Sequence, residues 1–253
     1  IHPPLLEGAA KSLKSSKDAQ LIVSVKDMNS GEIIKQDTLP IKLFSRNDIQ
    51  WAGADCTPYN ENILAWVTPE APEIDKMLRD TYDSLSALTD GQMGSIVGYQ
   101  PVGNLDQITI TYAQVCSMMY TLANKYKVKY IMAPFSSTGS QMQSVKTPAQ
   151  VIGTKGGLCI ETVVTMALAI QRTNMHAVII LLPGHAQVAV ETWYNSGEYL
   201  LIETTALEAA NQGYFDSVVT YMTKDQWAEY MGQEGYVAID CDLAEKLQIK
   251  SID

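Results

Sequence analysis

The sequence predicts an α+β domain, and three observations predict it. Apolar residues recur at helical spacing over 71–87 and again over 109–126. The stretch beginning at Cys159 and running to about Thr173 is then apolar nearly all round, as only a buried central helix is. Behind it come three apolar runs, Ala177–Pro183, Gln187–Trp193 and Tyr199–Glu203, joined by short turns that suit antiparallel strands. Helices first, then one helix against an antiparallel sheet, is the order of an α+β fold and not of alternating βαβ units.

The bulk numbers fit one such domain with a small appendage. The chain has 253 residues, of which 46% are hydrophobic and 18% charged, so it can bury a large core and carries no sign of long disorder. Its net charge of -10 argues against nucleic acid and anionic membranes as partners, since both need Lys/Arg patches. No apolar run reaches the roughly 18 residues of a membrane-spanning helix. The four cysteines, Cys56, Cys116, Cys159 and Cys241, form no C-x-x-C pair and are too few for a disulfide scaffold, so a zinc knuckle is not expected. Ile1 stands where an initiator Met would, which implies a processed chain or an excerpt of a longer one. Low charge with plentiful Ser, Thr, Gln and Tyr suits an extracytoplasmic protein. Oligomeric state is not legible.

Taken in order, residues 1–46 read as a polar, Pro-led lead-in and a partial β-rich region. Leu21–Val25 is a strand, Asn29–Glu32 a turn, and Ile33-Ile34 and Ile41–Phe44 further short strands. They fit equally the tail of an immunoglobulin-like domain or a few strands packed on the main domain. The second domain spans 47–253. It opens with an Asn/Asp/Gly/Pro-rich loop, Asn47–Asn60, that contains Trp51 and Cys56. Ile63–Val67 is apolar. Ala71–Ala87 is one helix, stopped by Asp90-Gly91, and Thr109–Tyr126 another, with Cys116 on its apolar side as a small core residue. Lys129–Phe135 reads as a strand and Ser136–Ser144 as a polar loop bearing Gln141 and Gln143. After the third strand come helical pieces at Phe215–Met222 and Asp225–Met231, a strand at Tyr236–Ile239 and an amphipathic turn at Leu243–Leu247.

The chemistry centres on Cys159. It follows Gly156-Gly157 and falls in the first turn of its helix, where unpaired N–H groups and the positive end of the dipole favour a thiolate. Of three histidines, His2 lies in the lead-in and His176 at a helix-to-strand junction. His185 opens a strand between Gly184 and Ala186, where small neighbours allow close approach, and is the better general base. Glu203, ending the next strand of the same hairpin, can orient it; Glu191, in His185's own strand, is the competing carboxylate. Glu161, two residues past the cysteine, faces elsewhere. A thiol, an imidazole and a carboxylate from three elements make an acyl-transfer set.

Gly156-Gly157-Leu158-Cys159, the buried helix, Gly184-His185-Ala186-Gln187-Val188 and Ile202-Glu203-Thr204-Thr205 together resemble the core of the transglutaminase-like superfamily, a rearranged relative of the papain-like cysteine peptidases. More narrowly, three features are similar to the bacterial transglutaminase-like cysteine peptidases. These are the Gln-x-x-x-x-Pro run Gln143–Pro148, the Gly-x-Cys-hydrophobic-acidic run Gly157–Glu161, and Val237-Ala-Ile-Asp240 near the end. The resemblance covers about Val128 to Asp253 and departs at two places: Ile160 and Gln187 stand where the superfamily often has aromatics. It implies Cys159 as nucleophile, His185 as base and acid, Glu203 as the group orienting it, and Gln143 as an oxyanion donor, with no metal or organic cofactor. The implied activity is a thiol peptidase or amidase on a protein or peptide. A protein crosslinker and a non-catalytic surface-associated binding module that kept the fold are the rivals.

Overall fold

The computed structural model describes residues 12–67, 71–132 and 142–252. These form two units: one ends at Asp48 and takes in Ile252, and the other runs from Ile49 to Ser251. His2, Gln141 and most of the expected Ser136–Ser144 loop lie outside the described residues.

The first unit is an antiparallel ribbon of β1 (Lys17–Lys26) and β2 (Ile33–Leu43), in register from Lys17↔Leu43 to Val25↔Lys35. The two short strands expected at Ile33-Ile34 and Ile41–Phe44 are thus one. The polar residues between them stay in the ladder because both faces of a two-stranded ribbon are open. Pro40 is tolerated opposite Gln20 because each strand here has a free edge. Among the described residues the unit has no second sheet to make a sandwich.

In the second unit β3 (Asp48–Gln50) leads to Trp51 and a 3₁₀ helix at Asn60–Trp66. The helix expected over Ala71–Ala87 is two, α1 (Pro72–Arg79) and α2 (Tyr82–Leu88). Thr81 Oγ1 donates to Leu78 O (2.6 Å), and Asp80 is drawn to Lys76 (2.8 Å) and Lys125 (3.0 Å), so the chain turns between them. The long helix α3 (Gln107–Asn124) begins where Asp106 accepts from Thr109 N at 2.9 Å. Next are β4 (Lys129–Tyr130), β5 (Met142–Ser144), α4 (Pro148–Thr154), β6 (Gly156–Gly157) and α5 (Cys159–Gln171). Every residue of α5 from Cys159 to Ile170 is buried, as its mostly apolar sequence requires.

α5 packs on a five-stranded sheet in the order β10-β9-β8-β7-β11, built from β7 (Ala177–Leu182), β8 (His185–Glu191), β9 (Tyr199–Ile202), β10 (Val219–Met222) and β11 (Val237–Asp240). All four pairings are antiparallel. The remaining helices are α6 (Leu207–Asn211), α7 (Lys224–Met231) and α8 (Leu243–Lys246). The helix expected at Phe215–Met222 is a 3₁₀ turn, Phe215–Ser217, followed by β10. Val219-Thr-Tyr-Met222 pairs with β9, and that edge of the sheet overrides local preference. Tyr199 stacks on Trp227 (centroids 4.0 Å apart), so α7 covers the face of the sheet opposite α5. No helix among the described residues is long and apolar enough to cross a membrane.

Candidate active site

Two glycines let the chain turn into α5. β4 and β6 pair in parallel, Lys129 with Gly156 and Tyr130 with Gly157. A Cβ on Gly157 would lie 3.2 Å from both Glu161 Cβ and Thr162 Cγ2, so the backbone approaches the first turn of its own helix more closely than a side chain permits. Cys159 is therefore the first residue of α5 and only 2% exposed.

His185 and Glu203 meet because β8 and β9 are neighbours, with Val188 opposite Ile202. His185 Nε2 lies 2.9 Å from Glu203 Oε2, which leaves Nδ1 as the nitrogen able to face the thiol. Hydrogen bonding to Cys159, then to Glu203, raises the imidazole to a pKa of about 10, against a smaller opposing effect of burial. At neutral pH the imidazole is therefore the cation. Glu203 is also gripped by Thr205, whose N–H (3.0 Å) and hydroxyl both donate to Oε1, and by Gln187 Nε2 at 2.8 Å. Burial pushes its carboxyl up, but the bonds from His185, Thr205 and Gln187 outweigh this and hold it at about 2. Gln187 accepts in turn from Tyr230 OH on α7. The residue that departs from the aromatic pattern is thus a strut behind the carboxylate.

Gln143 stands in β5. Its Oε1 accepts from Trp51 Nε1 at 2.8 Å, leaving Nε2 as the end able to donate. The segment after it is pinned almost residue by residue. Trp66 Nε1 donates to Val145 O (2.9 Å), and Thr147 caps α4, accepting from Gln150 N at 3.3 Å. Lys146 N donates to Glu161 Oε1 (2.9 Å), while Leu158 N donates to Glu161 Oε2 (2.9 Å). Glu161, set aside in the sequence reading, is a buried joint between the Gln143 segment and the start of the cysteine helix. Its signal was the acidic third position of α5, where a carboxylate reaches back to the N-cap N–H.

Tyr130 and Trp51 were not foreseen as site residues. The Tyr130 phenol is raised by burial and then by the nearby charges of Cys159 and Glu203. With Thr205, Leu207 and Asn211 it lines a cavity of ≈ 470 Å³. Neither this cavity nor two larger clefts, of ≈ 690 and ≈ 740 Å³, is lined by any of the four predicted site residues. Glu191 does not compete for His185; it bonds His176 at the other end of the strand. None of the four cysteines is disulfide-bonded, and Cys116 is buried in α3 with its thiol pushed up to about 12 by that burial.

No protein-family model matches this chain, and no curated protein does. Among solved structures it is similar to a chain from Parabacteroides distasonis described as a "putative protease", at 11% identity and a TM-score of 0.26. That match covers 83% of this chain and 43% of the other. A likeness at that level carries nothing about fold or chemistry, so what the site can do rests on its own geometry.

Proposed function

We propose that the protein is a transglutaminase-like thiol hydrolase, with α5 and the five-stranded sheet as its papain-like core, cleaving an amide bond in a protein or peptide. The observation that carries this reading is the placement of the His185 imidazole, 2.9 Å from the Glu203 carboxylate on one side and hydrogen-bonded on the other to a buried thiol at a helix start. The Cys159 thiolate attacks the carbonyl carbon, and the oxyanion is held by the Cys159 backbone N–H and Gln143 Nε2. The C–N bond breaks as His185 passes its proton to the leaving amine, giving a thioester. His185 then takes a proton from water, the hydroxide attacks, and Cys159 leaves as the thiolate.

Water is the acceptor we favour over a lysine amine. Transfer to an amine needs walls that keep water from the thioester. Here Gln187, Thr205 and Tyr230 surround Glu203 with polar groups. The test is a glutamine-containing peptide library with excess labelled primary amine. Cleaved or deamidated products without label support hydrolysis. Cys159-dependent incorporation of label would make the protein a crosslinker, and no Cys159-dependent product of either kind would favour the binding module.

A further inference from the structure

A second polar cluster gathers at the opposite end of β8. His176 precedes β7, Glu191 ends β8, Asp240 ends β11, and Asp242 follows two residues on. Six residue steps along β8 lead from His185 to Glu191, which places this cluster about 20 Å from His185. His176 Nδ1 lies 3.1 Å from Glu191 Oε2, and Nε2 lies 3.0 Å from Asp240 Oδ1. One donor atom from each of His176, Asp240 and Asp242 falls within 4.8 Å of the others.

We propose that His176, Asp240 and Asp242 bind a divalent transition cation of the zinc or manganese kind. Ligands about 2.1 Å from one ion stand roughly 3.0–3.5 Å apart, so donors this close need only small side-chain rotations to share one. The orientation of the imidazole distinguishes the cluster from a chance pair of surface aspartates. Glu191, 5% exposed, takes Nδ1, and is itself fixed by the N–H groups of Asn195 (3.1 Å) and Gly197 (2.8 Å). The His176 backbone N–H is held by Tyr99 OH at 3.0 Å. A buried carboxylate behind a ring nitrogen fixes tautomer and direction in metal sites, and here it aims Nε2 at the aspartates.

The carboxylates are oriented too. Asp242 N donates to Asp240 Oδ1 at 2.8 Å, and Gln171 Nε2 to Asp242 Oδ1 at 3.0 Å. Asp242 and Gln171 line the ≈ 690 Å³ cleft, through which an ion and its remaining water ligands can enter. One imidazole nitrogen with carboxylate oxygens suits zinc or manganese, whereas calcium prefers oxygen alone and copper(I) prefers sulfur. On binding, the cation replaces the Nε2 proton that otherwise bridges His176 to Asp240. The ion would tie the ends of β7, β8 and β11 together.

The test uses the full chain carrying Cys159→Ala, so that the thiol takes no metal. Chelator-stripped protein is titrated with ZnCl₂ and with MnCl₂ by calorimetry, and its melting temperature is followed, with CaCl₂ as control. The expected result is one ion per chain and a melting temperature that rises with ion concentration. Asp242→Asn, an exposed position, and His176→Gln should each weaken binding by about 10- to 100-fold. No saturable binding below about 1 mM, far weaker than any resident ion, would overturn the proposal. So would binding that both variants leave intact, or calcium binding as tightly as zinc.

Discussion

Four donors converge on the Glu203 carboxylate, and the His185 cation is one of them. The consequence for pH has a definite sign on each side. Glu203 is depressed from its ordinary 4.5 to about 2, so its contribution to stability is present above 4.5 and is lost as pH falls toward 2. His185 is raised from 6.5 to about 10, so its contribution is complete below 6.5 and is lost as pH rises toward 10. The alkaline limb of kcat/KM should therefore report His185, and Glu203→Gln should move that limb to lower pH by removing one cause of the shift. An unmoved limb would take Glu203 out of the site. Gln143→Ala should lower turnover by about 10²–10³ while the protein melts as before. Trp51→Phe removes the N–H that anchors the amide, together with part of a fully buried ring, and should lower turnover in the same direction by a smaller factor, about 10-fold. Equal turnover in both variants and the parent would leave the oxyanion to backbone groups.

The elements differ in how much of them the sequence exposed. α5 was legible because thirteen residues without a polar face permit only a buried helix, and its cysteine falls at the start for the same reason. The β7–β8–β9 hairpins were legible from apolar runs separated by short turns, and Asn195 and Gly197 stand at positive φ in the second of these. α4 was missed although its caps are written plainly: Thr147 at the N-cap, Pro148 at the first position and Gln150 closing the box. It is short and sits between two loops, so it shows too little periodicity to register. β10 was read as helix because pairing with β9, which no local window contains, decides it. Glu161 was passed over because its partners, Lys146 N and Leu158 N, are brought to it only by the fold. Glu161→Ala leaves two half-buried N–H groups without their acceptor and should cost about 2 kcal/mol in denaturant unfolding. It should also lower turnover where the variant is still folded, because the Gln143 segment loses its link to α5. Glu161→Gln, which keeps one acceptor, should recover part of both. If Glu161→Ala lost stability but kept full turnover, the joint would be structural only.

At the scale of the whole molecule, one helix and one sheet carry Cys159, His185 and Glu203, while Gln143 stands outside both, in β5. Thr162 in the first turn of α5 meets Thr204 beside Glu203, hydroxyl to hydroxyl at 2.9 Å, so the thiol and the carboxylate are fixed by the same packing. The resemblance seen in short motifs concerns this arrangement, and the motifs were readable because each is local: glycines before a cysteine, a histidine at a strand start, a glutamate at the next strand's end. The strands and turn of the first unit's ribbon were readable as well, but not the continuity of its second strand, whose exposed polar middle shows no apolar alternation. On the proposed function Cys159 is an activated nucleophile, and the chain carries its own control. Cys56 is exposed while Cys159 is nearly fully buried, so access alone would make Cys56 the faster thiol. Alkylation with iodoacetamide at mildly acidic pH, mapped by mass spectrometry, compares them within one molecule. The account predicts that Cys159 reacts first, by about 10-fold or more, and that His185→Ala abolishes this preference. Cys56 reacting first, with Cys159 inert and indifferent to His185, would contradict it.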